Sequence, residues 1–152
     1  MSKNRIAWNA KATAAANARR ELPGLVSRYF AEVRGALAKQ PSPAELHQLR
    51  LATKRLRYTL ELFRPCYGPG LETRISTLRD LQQILGEIND AAATGRLLAN
   101  SMPASAQRTR AVKLLENRAA EKAVQFHRHW QEVFDAAGRE RWWTVYLERQ
   151  AR

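Results

Sequence analysis

Acidic residues are scarce in this 152-residue chain: 14 Asp and Glu stand against 26 Lys and Arg, a formal net charge of +12 with histidine neutral. That imbalance argues against a cationic substrate. The lone cysteine, Cys66, excludes an intramolecular disulfide and fits a reducing compartment. Seven glycines and six prolines are few for this length, so connections are short and elements long. No apolar run is long enough to span a bilayer, and none near Met1 resembles a signal peptide. The expectation is therefore a soluble, cytoplasmic chain without a membrane partner. Its length suits one domain over residues 1–152, and a hydrophobic content of 45% argues against wholesale disorder.

What is present is positive charge, unevenly spread. Residues 1–65 hold 13 basic and 4 acidic side chains, and the remainder holds 13 and 10. A field of one sign concentrates anions and speeds their capture. Nucleic acid, anionic lipid and a phosphate polymer all fit that field, and composition does not choose among them.

The hydrophobic pattern is helical almost throughout, with Ala, Leu, Arg, Glu and Gln dominant and no alternating β-branched runs. Residues 4–20 read as a loosely packed, Ala-rich leading helix, interrupted at Pro23 and Gly24. A second helix runs to about Lys39, with Leu22, Leu25, Val26, Tyr29, Val33 and Leu37 on one stripe. Ser42 and Pro43 are an N-cap and first-turn pair for a helix from Ala44 to Arg64. A fourth helix is predicted over Leu71–Ala99 and a long fifth over Ala104–Ala136, closed by Gly138. Residues 139–150 add a short helix whose Trp142, Trp143, Tyr146 and Leu147 cap the assembly. The predicted architecture is an all-α bundle of five to six helices.

The helix over residues 44–64 carries the chemistry. On a helical wheel Leu46, Leu49, Thr53, Leu56, Leu60 and Phe63 form the burying face. His47, Arg50, Lys54, Arg57 and Tyr58 gather within about 100° on nearly the opposite side. Side chains three and four apart are neighbours, and like charges at that spacing repel. Only Glu61 enters the row. A basic helix face is most often simply solvated, but two details favour an anion here. The row mixes Arg, Lys, His and Tyr, all donors suited to oxyanions, and it lies off the predicted burying face.

The run Leu46-His47-Gln48-Leu49-Arg50-Leu51-Ala52-Thr53-Lys54-Arg55-Leu56-Arg57-Tyr58 resembles the H-x-x-R-x-x-x-[KR]-[KR]-L-R signature of CHAD domains, the histidine-containing α-helical domains. The stretch Leu78-Arg79-Asp80-Leu81-Gln82-Gln83-Ile84-Leu85-Gly86-Glu87-Ile88-Asn89-Asp90 resembles the family's L-x-x-L-Q-x-x-L-G-x-x-x-D segment, in the expected order and spacing. The resemblance covers roughly residues 19–100. It implies helical repeats about a pseudo-two-fold axis, a basic groove, and binding of inorganic polyphosphate, with polyphosphate granules as a candidate location. Carried over, His47, Arg50, Lys54, Arg57 and Tyr58 line the groove and Arg55 reaches its rim. Arg20, Arg28, Arg74, Arg79, Arg118 and Lys122 are further candidates from neighbouring helices. A full domain of this kind usually holds two copies of the signature, and this chain holds one. The resemblance thus also implies a half groove, or a homodimer that rebuilds a whole one.

Polyphosphate is a flexible line of anionic oxygens, and one helical turn advances its cations by about 5.4 Å. Arg supplies bidentate donors, Lys a compact charge, and His47 a further charge when protonated. Nucleic acid is the secondary polyanion to weigh, and a targeting or partner module for a phosphate-metabolising enzyme is a third reading. His127 and His129 point about 200° apart on a helix and do not suggest a metal site. Trp8, Trp130, Trp142 and Trp143 are spread far from the basic row and suit packing better than base stacking. Glu87 and Asp90 lack a third acid, and glycine-rich phosphate loops and nucleophile elbows are absent. Neither catalysis nor a cofactor is expected.

Overall fold

The computed structural model describes residues 5–152. Its helices are α1 (Ala14–Leu37), α2 (Pro43–Leu62), α3 (Pro69–Ser101), α4 (Ala106–His129) and α5 (Arg139–Arg149). A 3-10 turn over Arg64–Cys66 leads into α3, and a π turn over Trp130–Phe134 prolongs α4. There is no strand among the described residues, so the all-α bundle predicted from periodicity is the fold.

Two expectations about the N-terminal third are corrected. The leading helix over residues 4–20 does not form as a separate element; its first residue, Asn4, lies outside the described residues, and 5–12 are non-helical. Thr13 instead caps α1, its hydroxyl accepting from Ala16 N at 3.1 Å. Asn17, fully buried, accepts from Asn9 N at 2.8 Å and donates to the carbonyls of Asn9 and Thr13. That buried amide ties the preceding coil to the helix, and the Ala run supplies no apolar face to compete with it. The second correction is that α1 runs straight through Pro23. An interior proline costs about 3 kcal/mol. Leu22, Leu25, Val26 and Tyr29 flank it and are all buried, each contributing about 1.5–3 kcal/mol, which offsets the penalty.

Ser42 caps α2 as predicted, accepting from Glu45 N at 3.2 Å, and Pro43 occupies the first turn. α2 and α3 run antiparallel, as do α3 and α4; Lys122 on α4 reaches Glu87 on α3 at 2.6 Å. α5 returns along α1, where Arg34 bridges Asp135 and Glu140. Gly138, the one residue in the left-handed region among the described residues, at φ 81°, makes the reversal into α5. The core is an aromatic knot of Tyr29, Phe30, Trp130, Phe134 and Trp143, with Trp130 and Phe134 stacked at 4.8 Å. Leu60, Leu71, Ile75, Leu78, Leu81 and Leu85 extend it between α2 and α3.

Arg74 docks α5 onto α3. Its guanidinium lies between the rings of Trp142 and Tyr146, 3.6 and 3.8 Å from their centroids. It donates to the carbonyls of Gly70 and Trp142. Burial pushes its pKa down to about 10, and the two rings supply compensating attraction. Gly70 permits this closure, because a Cβ there would lie 2.6 Å from the Tyr146 ring.

Candidate functional site

The burying face predicted for α2 is the buried one: Leu46, Leu49, Thr53, Leu56, Leu60 and Phe63 are all buried. Thr53 is satisfied by Tyr29 at 2.7 Å and by the Leu49 carbonyl. The basic row is not opposite this face but beside it. Its members step around the helix next to the core stripe, while Gln48, Arg55 and Leu62 occupy the far, exposed side. His47, Arg50, Lys54 and Arg57 are consequently half-buried in the crevice between α2 and α3.

The α3 wall of that crevice is polar and matched to the row. Arg79, Gln82, Gly86 and Asn89 recur three and four residues apart, so they share one face of α3. His47 Nδ1 donates to Asn89 Oδ1 at 2.8 Å, which leaves Nε2 as the ring's other polar atom. Arg57 donates to Gln82 Oε1 at 2.9 Å and to Glu61 Oε1 at 2.8 Å. Arg79 reaches the same Glu61 oxygen at 3.5 Å. Arg50 stands opposite Gly86, where a Cβ would lie 3.9 Å from its Nε. Its Nε is buried without an acceptor.

Tyr58, 47% exposed, closes the crevice edge. Lys54 Nζ lies 5.6 Å and Arg57 Cζ 4.6 Å from its ring centroid, so the ring holds both cations by its π face. Among the described residues, no carboxylate lies within ion-pair distance of Arg50, Lys54 or Arg55. The row thus contains fixed donors in excess of the acids that meet them. At the N-terminal end of α2 the crevice opens beside a cavity of about 500 Å³ that His47 and Asn89 also line.

The additional cations divide. Arg79 joins the crevice. Arg118 and Lys122 stand on α4 around Glu87, where the Lys122 ammonium holds the Glu87 carboxyl below the usual carboxylate range. Arg20 is engaged by Glu21 and the Ala7 carbonyl, and Arg28 is exposed on α1 beside Gly24. Arg74 is locked in its aromatic cage, away from the row. The crevice residues that reading the α2 helix alone misses are Gln82, Gly86 and Asn89. Their periodic spacing within the second quoted segment is the signal that finds them.

A family model described as the CHAD domain matches residues 3–99, which takes in α1, α2 and nearly all of α3. No curated protein and no solved structure matches the chain.

Proposed function

The chain belongs to the CHAD domain family, and on that premise we propose that its α2–α3 crevice binds inorganic polyphosphate without catalysing a reaction on it. One observation carries the reading: among the described residues Arg50 and Lys54 are half-buried cations with no carboxylate partner, and Arg50 Nε is buried without any acceptor. A buried donor left unpaired costs about 1–3 kcal/mol, and the other guanidinium N–H groups of Arg50 are left uncommitted for an incoming anionic oxygen. Arg57, braced by Gln82, presents its remaining donors along the same line, beside the His47 ring that Asn89 orients. Tyr58 borders it and Arg79 extends it toward the start of α3, while Arg55, on the exposed far side of α2, stands outside the crevice. Since the donors are held by helices before the ligand arrives, binding loses little side-chain entropy.

The test is calorimetric titration with long-chain polyphosphate and with duplex DNA of matched charge, each at low and high salt. Selective polyphosphate binding that weakens steeply with salt supports the reading. Equal binding of DNA makes the crevice a general polyanion face and moves nucleic acid ahead. No binding to either refutes both.

A homodimer is part of the same proposal. α4 buries only Phe126 along its whole length and exposes Leu114 and Val124, at 70% and 60%, and α3 exposes Leu97. α4 carries more basic than acidic residues and α3 the reverse, so the α4 of one copy suits the α3 of another. Pairing these arms gives the dimer two basic crevices related by a two-fold axis.

A further inference from the structure

The cavity at the N-terminal end of α2 is the feature that a bare phosphate chain leaves unused. Its volume is about 500 Å³, within the range of small-molecule pockets. Pro43, Leu46, Leu85, Ile88 and Ala92 give it walls that are chiefly apolar. Those apolar side chains offer phosphate oxygens no donors, the polar lining being confined to Ser42, His47, Asn89 and Arg96, and stripping water from such oxygens without replacing their hydrogen bonds is unfavourable. A flat, weakly polar head group gains there instead, by about 25 cal/mol for each Å² of apolar surface removed from water.

The polar residues of the cavity lie where such a head group meets a charged tail. His47 belongs both to the cavity lining and to the basic row, with Arg50 one turn further along α2 and Lys54 one turn beyond that. Asn89 spends its Oδ1 on His47 and keeps its amide N–H groups for a ligand edge. Arg96, exposed on α3, supplies a planar cation at the cavity margin that can stack on a ring. It forms no ion pair among the described residues.

We propose that this cavity and the adjoining start of the basic row bind a nucleoside triphosphate, the base in the cavity and the phosphates along His47, Arg50 and Lys54. The proposal rests on the polyphosphate reading for its cationic half, while its apolar half is independent of that reading. The cavity has no aromatic clamp, so the base is held by aliphatic contact and by Arg96.

Calorimetric titration with ATP, inorganic tripolyphosphate and long-chain polyphosphate, at one salt concentration and without divalent metal, separates the two halves. ATP is expected to bind roughly tenfold tighter than tripolyphosphate, the gain from burying part of the base. Ala92→Leu fills the cavity from α3. Ala44→Trp covers it from an exposed position on α2, where folding is undisturbed. Both are expected to erase the preference for ATP and to leave long-chain binding intact. Long-chain binding with ATP no tighter than tripolyphosphate overturns the nucleotide proposal and leaves the polyphosphate reading standing. A preference for ATP that survives both substitutions overturns the cavity assignment. A preference for ATP without long-chain binding supports the cavity and sinks the polyphosphate reading. Absence of binding by all three ligands overturns both.

Discussion

Arg50→Met sets function against stability and gives the two effects opposite signs. In the folded protein Arg50 Nε is buried with no acceptor, and the residue facing it across the crevice is Gly86. Leaving a buried donor unpaired costs about 1–3 kcal/mol. Spacing it four residues from Lys54 adds a few tenths of a kcal/mol in repulsion. Methionine retains much of the aliphatic stem and has no donor, though it leaves the space of the guanidinium tip unfilled. Allowing for that gap, the variant should be more stable than the parent by about 1 kcal/mol. Polyphosphate affinity should move the other way. One charge-assisted hydrogen bond is worth about 1.5–3 kcal/mol, so the dissociation constant should rise roughly 10- to 150-fold. The slope of log K against log salt should shrink in magnitude by about one.

Urea unfolding followed by circular dichroism gives the first quantity and calorimetric titration the second. Arg57→Met is the internal control, because Arg57 is already bonded to Gln82 and Glu61. Its loss should destabilise by about 1 kcal/mol while also weakening binding. If Arg50→Met is instead destabilising by more than about 1 kcal/mol and leaves affinity unchanged, Arg50 is a packing residue and the argument for a charged crevice held ready for an anion fails.

Three other outcomes test the surrounding architecture. Arg74→Met loses two carbonyl acceptors and both ring faces, so stability should fall by about 2–4 kcal/mol; tryptophan fluorescence should shift and α5 amides should lose exchange protection. Glu87 is held below the usual carboxylate range by Lys122, so its stabilisation is complete above the unfolded value of about 4.3 and is lost as pH falls through the lower folded value. Exchange protection across α4 should therefore drop in that acid window, and Glu87→Gln should abolish that component. Leu114→Glu places a charge on the exposed face of α4 and should convert a dimer to a monomer by sedimentation without changing helicity; an unchanged sedimentation coefficient refutes the proposed pairing.

Periodicity made the helices and the buried face of α2 legible, because long amphipathic segments encode their own burial. It failed where tertiary packing overrides local preference. Pro23 reads as a break only until Leu22, Leu25, Val26 and Tyr29 are seen buried around it. The Ala-rich stretch reads as a helix until Asn17 is found bonding the coil before it. The basic row was visible on the wheel, but its direction was misjudged. A helix packed on two neighbours has a wide buried arc, so residues flanking the main apolar stripe enter a crevice rather than solvent. The acceptors in that crevice sit on another helix, some 25 to 42 residues away in sequence, and no pattern within α2 could reveal them.

That placement matters for what the row can do. On a fully exposed face, three cations and a histidine at helical spacing would be screened by water, and their side chains would be free to scatter. In the crevice Asn89 orients one and Gln82 another, while the Tyr58 ring holds Lys54 and Arg57 from the side. These partners are neutral, so they fix direction without cancelling charge. Glu61 is the exception, and it stands at the C-terminal end of the row, where it meets Arg57, Arg64 and Arg79 together. The net positive field is therefore strongest toward His47, Arg50 and Lys54. An anion entering the crevice should engage that end first, with Arg57 the last of the row to exchange its internal partner for the ligand.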